Sequence, residues 1–397
     1  MAGAANHLLG DSFAVFLLLV ATTVQLQLVH GGLHVDAEDI NKTITIDMHL
    51  QSKNGVVIDC VYIHKQPTLK HPMFKDHKIQ VYKRNGMSSV GHGFGGHVVQ
   101  LEQEWHRSGS CPEGTIPIRR LPNNASEPNI TIIQPFNPSS DTVAIEDSNS
   151  PRDEFAVAVG LDWPYHSASA LLPSYRPTKI EPHESSSTCI VIAATVNRTW
   201  VGDHLPGDFP PDVTNQIVVG LMSDGGKRKR CLNFLCHGFV QTSSKIALGT
   251  SFINGGSSIT YEGVPYVAMS IHKIPGQQQW WVSVNDTVIG YFPHTLFPTF
   301  FQESYVNQLG GIVHNSRPNG VHTDTVMGNG RTPESGNSAV IKAYLAVGAN
   351  GMDKKDGSIK PGATVPKCYN AAVLGENLEV PGYDIAYGGP GGRGCDQ

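Results

Sequence analysis

Two cysteines bracketing four residues, Cys231 and Cys236, stand directly ahead of an apolar run over residues 238–246. A thiol pair this close can close a small ring if the backbone turns sharply between them, and the ring would pin the end of the strand that follows. Along that strand Phe239, Gln241 and Ser243 would point one way and Val240, Thr242 and Ser244 the other. Zinc is the competing use of paired cysteines. It asks for a second pair or for histidines at ligand spacing, and His237 beside Cys236 does not complete such a set. A structural disulfide is the better reading.

The rest of the chain fits a fold stapled around strands. Its 42 glycines and 26 prolines, against only 16% charged residues, indicate many turns between short apolar runs. At 397 residues the chain exceeds one average domain. A formal net charge of −5 gives no argument for a nucleic-acid or anionic-membrane partner.

Residues 12–21 form an apolar core of secretory-leader length, with candidate cleavage after Gly31 or Ala37. Thr22, Thr23, Gln25 and Gln27 interrupt the run before it could span a bilayer, so no stable membrane insertion is expected. The expected location is secreted, extracellular or vacuolar. Asn41, Asn124, Asn129, Asn197 and Asn285 each head a glycosylation sequon. Seven cysteines in an oxidising compartment imply bridges with one thiol left over.

Past the leader, residues 43–50 alternate as a strand does, and Cys60 and Cys111 are the only cysteines of the first segment, which pairs them. His92, His97 and His106 could be drawn as metal ligands, but the glycines around the first two make a polar loop the better reading. Residues 121–151, rich in Pro, Asn, Ser and Asp, read as a linker. From there short runs recur at 155–159, 189–196, 216–222, 238–246, 264–271, 280–284, 287–292 and 339–347, with turn residues such as Asn285-Asp286 between them. Such spacing predicts an all-β fold, an antiparallel sandwich or barrel. The basic run Lys227 to Arg230 reads as a solvated hairpin arm ahead of Cys231.

Several stretches together resemble the neprosin family of secreted plant proteins, whose characterised member is a proline-cleaving glutamic endopeptidase. In the first segment Asp59-Cys60-Val61, Lys65-Gln66-Pro67, His71-Pro72, His77 to Gln80 and Cys111 to Arg120 are similar to the family's activation peptide. Later come Cys231-x4-Cys236-x-Gly-Phe-Val-Gln241, Trp280-Trp281 leading to Ile289-Gly290-Tyr291, and Gly310-Gly311 through Asn315-Ser316-Arg317-Pro318. His322-Thr323, Met327-Gly328-x-Gly330 and Tyr387 to Gly391 complete the order. The resemblance implies a removable β-rich pro-segment and a catalytic antiparallel β-sandwich. It divides the chain into a leader (1–31), a pro-segment (32–120), the linker (121–151) and the sandwich (152–397). It also implies the pairs Cys231–Cys236 and Cys368–Cys395, leaving Cys189 as the odd thiol.

A glutamic peptidase needs two carboxyls sharing a site, one ionised to activate water and one protonated. In the family's first position this chain has Trp200, and no glutamate occurs from Ser185 to Tyr261. Asp203 is near but shorter and on a different register. Around the second position Glu334 is present, yet Ser335 stands immediately before Gly336, where the catalytic residue belongs. Elbow, zincin and phosphate-loop patterns are absent from the sequence, and no metal or cofactor is expected. Three readings follow: a secreted glutamic endopeptidase acting on proline-containing peptides, a catalytically silent relative that binds peptide or another extracellular ligand, and a carbohydrate binder resting on Trp280-Trp281. The incomplete acid pair favours the second. The expected partner is a peptide or protein, including proline-rich ones.

Overall fold

Strands and short turns carry the whole architecture, with no α-helix among the described residues. The computed structural model describes residues 16–24 and 46–396, except 53–54, 83–100, 121–151, 161–163, 196–213, 223–237, 254–258, 286, 298–300, 349–352 and 355–358. Ahead of residue 121 lie β1 (Phe16–Val24), β2 (Ile46–Gln51), β3 (Val57–Tyr62) and β4 (Thr115–Arg119). After it come β5 (Arg152–Gly160), β6 (Tyr165–Pro173), β7 (Ser185–Thr195), β8 (Thr214–Met222), β9 (Val240–Gln241) and β10 (Thr260–Tyr261). The chain continues with β11 (Val264–Lys273), β12 (Trp280–Val284), β13 (Thr287–Phe292), β14 (Val306–Asn315) and β15 (Ala339–Gly348). It closes with β16 (Asp353–Lys354), β17 (Lys360–Ala363), β18 (Asn370–Glu376) and β19 (Tyr383–Gly388).

Two large antiparallel sheets form the sandwich. One runs β1-β8-β7-β14-β5-β17, the other β18-β19-β15-β6-β11-β12-β13-β9, with β10 and β16 as short side pairings. The core lies between them. Ala156, Ala158, Ile190, Ile192, Leu309 and Val313 from the first sheet meet Val267, Met269, Ile271, Val282 and Val284 from the second. These residues alternate along their strands with the opposite face, as two packed sheets require. The pro-segment makes its own sheet, β2-β3-β4. It is clamped by the Cys60–Cys111 disulfide and sends Val61, Ile116 and Ile118 into the main core.

The strands expected around 155, 189, 216, 264, 280, 287 and 339 all form. The run 238–246 does not stay a strand: pairing ends at Gln241, because the following backbone turns to meet the pro-segment. Phe239 and Val240 keep the expected opposition, the first in the main core and the second on the outer face. Strands β6 and β14 escaped the sequence reading. The first is Ser/Ala-rich and the second is interrupted by Gly310-Gly311, yet both are central. A Cβ on Gly311 would lie 2.4 Å from the Met327 sulfur, so close approach of the loop after β14 requires glycine there.

The second disulfide, Cys368–Cys395, ties the start of β18 to the C-terminus, and Cys189 is a buried free thiol. Residues 231–236 lie outside the described residues, so the ring between Cys231 and Cys236 is not seen. Part of the stretch expected as a leader forms strand β1, paired antiparallel with β8 from Phe16↔Met222 to Val24↔Thr214. An apolar run retained in the chain offers a matching row of N–H and C=O groups to an open sheet edge, which is what β8 provides.

Candidate functional site

Glu334 stands on a single 3-10 turn, Pro333–Ser335, between the Met327 loop and β15. Pro333 starts the turn and Gly336, at φ 72°, ends it. Glu334, Ser335 and Gly336 are all exposed. The Glu334 carboxylate accepts a hydrogen bond from the Asn370 amide on β18, and the Ser335 hydroxyl donates to the Thr332 carbonyl at 2.7 Å. Trp200 and Asp203 lie outside the described residues. The structure therefore brings Glu334 together with an amide, on an open turn.

Buried carboxylates occur elsewhere. Antiparallel pairing of β14 with both β5 and β7 gathers the beginnings of the latter two at the end of the former. Glu154 on β5 and Glu184 just ahead of β7 are each 1% exposed there. The chain leaving β14 folds back over them. Glu184 receives the Ser316 backbone N–H and hydroxyl, both at 3.1 Å, on one oxygen, and the hydroxyls of Thr323 and Thr325 on the other. Each threonine oxygen in turn accepts a backbone N–H, from Thr325 and Glu181 respectively. Glu154 takes the Asn315 amide at 2.7 Å and His322 Nδ1 at 3.0 Å, while His314 meets Asp153 at 3.0 Å. Lys179 and Arg317 join Glu181 and Asp324 at the rim. Tyr369 donates to the Thr325 carbonyl at 2.6 Å, and burial, then the Glu154, Glu184 and Asp324 charges, push its phenol far above the usual range.

Hydrogen bonds from so many donors make Glu184 an acceptor that holds a loop in place. Sequence reasoning missed it. A glutamate before a strand looks like a turn residue, and its partners lie between 132 and 141 positions away. Among the described residues the one set with metal-ligand proximity is Glu154, His322 and Cys368, whose ligand atoms lie within 4.8 Å of one another. Cys368 is bonded to Cys395, so its sulfur is not a thiolate, and the set does not make a zinc-type site. Of His92, His97 and His106, the last accepts the Gln103 N–H at 3.0 Å and meets the Lys245 carbonyl at 2.8 Å. His92 and His97 lie outside the described residues. Asn285, the one sequon asparagine among them, is buried in the β12–β13 turn and its side-chain oxygen accepts from Ala268 N at 2.8 Å. A glycan there would have to break that arrangement.

The third cluster lies where the pro-segment meets the second sheet. Strand β9 is that sheet's edge, and two pro-segment glutamines cover it and the chain beyond. Gln66 accepts Gln241 N–H at 2.9 Å and donates to the Gln241 carbonyl at 3.1 Å. Gln103 does the same for Ala247, at 2.8 and 2.9 Å. Thr68 donates to the Phe239 carbonyl at 2.8 Å. Side-chain amides thus take the place of a neighbouring strand and satisfy an edge that would otherwise be open. Around the corner Trp281, Tyr291, Val240 and Ile274 form an outer-face cluster against Leu69, Ile79 and Tyr82. Trp280 points into the main core and donates to the Phe301 carbonyl, so the paired tryptophans serve the two faces.

Disulfides of this kind fit an oxidising, extracellular compartment, and among the described residues no helix is long and apolar enough to cross a membrane. Residues 49–153 match the family model described as Neprosin activation peptide, and residues 183–390 match the one described as Neprosin. The latter alone spans more than half of the chain. With its sandwich, its disulfides and its edge-capping N-terminal segment, the protein belongs to the neprosin family and is a peptidase-like chain carrying that family's activation peptide.

Proposed function

We propose that this chain is a secreted, catalytically silent neprosin-type protein that binds peptide. The observation that carries the reading is the setting of Glu334: exposed, at the tip of a one-turn helix, with an asparagine amide on its carboxylate. A glutamic dyad depends on two carboxyls held close enough to push their pKa values apart, in a site that limits water. Trp200 at the first family position and Ser335 before Gly336 supply neither a proton nor a base. Peptide as ligand is supported by the pro-segment, an extended piece of polypeptide seated on the sandwich.

The buried pair Glu154 and Glu184 favours a second reading, in which this chain has moved its acids. Each already receives donors from the 315–325 loop, and neither faces an open surface. Activating a water requires a lone pair turned toward it, which makes this reading the weaker one.

Incubation of the acid-treated protein with proline-rich peptides from pH 2 to 6 decides between them. The silent reading expects no turnover above a buffer blank. Cleavage abolished by Glu334→Gln would restore the family dyad; cleavage that survives Glu334→Gln but not Glu154→Gln would establish the relocated pair.

A further inference from the structure

One strip of the pro-segment leaves its small sheet and crosses the outer face of the large one. Residues 77–82 are irregular, and their contacts progress from β13 through β12 to β11. His77 Nε2 and the backbone N–H of Gln80 both meet the Tyr291 hydroxyl at 2.8 Å. That hydroxyl accepts from Gln80 and shares a hydrogen bond with the His77 ring. Ile79 packs in the cluster of Val240, Ile274, Trp281 and Tyr291. Tyr82 ends the strip with its ring edge-on to Trp281, centroids 5.1 Å apart, and edge-on to His272 at 5.8 Å. Its hydroxyl lies 3.2 Å from His272 Nε2. Lys78 and Val81 face solvent, Val81 at 73% exposure. Trp281 and Tyr291 are fully buried in the whole chain.

We infer that this face, once the pro-segment has left, is a binding site for an extended peptide presenting an aliphatic side chain and, three residues later, an aromatic one. The activation peptide is the piece of chain the family model marks as separate, and its departure uncovers a tryptophan, a tyrosine and an apolar floor together. Contiguous apolar surface rimmed by polar groups is characteristic of recognition sites, and buried aromatics carry most of the energy in them. Two observations select peptide over other ligands. Tyr291 reads a backbone N–H of the strip in addition to the His77 ring. The adjoining β9 edge loses the Gln66 amide that satisfies both backbone groups of Gln241, so it offers a donor and an acceptor to an incoming chain. The site is distinct from Glu334. Strand β12 lies three strands from β15, roughly 14 Å at ordinary strand spacing, and Glu334 lies beyond β15. It rests on the position of the activation peptide and stands whether or not the acid pair is silent.

The test uses the full chain. Replacing Ile79→Ala and Tyr82→Ala opens the seat in place, with Tyr82→Ala alone as the gentler variant should the pair fold poorly. The probe is a dye-labelled heptapeptide with the sequence of residues 76–82. Tethering gives the chain's own strip a high local concentration, so the probe is expected to bind the opened variants about tenfold or more tighter than the unaltered chain. Adding Tyr291→Phe to an opened variant should weaken probe binding roughly fivefold, because a single hydroxyl partner is lost. A probe with alanine in place of its tyrosine should bind far less well. Equal binding to opened and unaltered chains, or binding indifferent to both the Tyr291 change and the probe's tyrosine, overturns the inference. Displacement of the probe by a cello-oligosaccharide as effectively as by unlabelled peptide would reassign the face to sugar and overturn it as well.

Discussion

The two ends of the sandwich bury polar groups in opposite ways. At the end of β14, Glu184 and Glu154 collect donors from one continuous loop, and charge-assisted bonds lock that loop to the strands beneath it. At the β9 edge, neutral amides from a separate segment satisfy backbone groups, and neutral histidines meet phenols. Burying a carboxylate is costly unless its donors are permanent, so the first arrangement suits a part that never opens. Amide and histidine contacts forgo that strength. They can be released and, in the case of histidine, released by acid. A buried glutamate is therefore not by itself a sign of catalysis in this fold, and an exposed one at a family position is not either.

Removing Glu184 should have the largest effect. Glu184→Ala leaves the hydroxyls of Thr323 and Thr325 and the Ser316 N–H without their acceptor, and urea unfolding should report a loss of about 4–5 kcal/mol. Opening the Cys60–Cys111 bridge by paired serine substitution frees a loop with a sequence separation of 51. The pro-segment sheet should lose about 4 kcal/mol, seen as early proteolysis of residues 46–120 with the sandwich intact.

Next comes Gln103→Ala. Gln103 bonds both backbone groups of Ala247 and accepts the Trp105 indole N–H, so about 2–3 kcal/mol of pro-segment docking should be lost. An unchanged thermal unfolding profile would deny the edge-capping role.

A pH titration should show a smaller effect with a definite sign. Burial lowers His272 to about 4 and lowers His77 below its usual 6.5, with the charge of nearby His294 adding to the latter. Around His272 lie the Tyr82 and Ser270 hydroxyls, with Lys273 next along the strand. The docked state binds fewer protons than the undocked one, so docking is at full strength above pH 6.5. It weakens as pH falls from there toward about 4, by about 1–2 kcal/mol in all. Tighter docking in acid would contradict the contrast between the two ends. Smallest of all, Glu334→Gln should shift stability by less than about 0.5 kcal/mol, as expected for an exposed side chain.

Much of the fold could be read in advance. Seven of the expected runs became strands because Val, Ile and aromatic residues recur there between turn residues. Gly310-Gly311 could not be recognised as the middle of a central strand. Side chains are excluded by the packing of Met327 and Tyr387 against Gly311 and of Ala156 and Val157 on β5 against Gly310. The pairing Cys60–Cys111 was legible because the first segment holds no other cysteine. The neprosin motifs were legible as motifs, but not what they do. The segment from Asn315 to Thr325 turned out to be the wrap around Glu184, a role set by contacts far apart in sequence. Trp280 and Trp281, the basis of the carbohydrate reading, lie in the main core and in the outer-face cluster. They serve one face each, because adjacent residues of a strand point to opposite sides.

The most direct test of the contrast between the ends is hydrogen–deuterium exchange of the full-length protein at pH 7 and pH 4, with rates corrected for intrinsic pH dependence. Protection should fall at pH 4 in residues 66–82 and 239–249, while residues 184–195 and 306–327 keep theirs. Loss of protection in both regions together, or in neither, would contradict a permanent end and a releasable one.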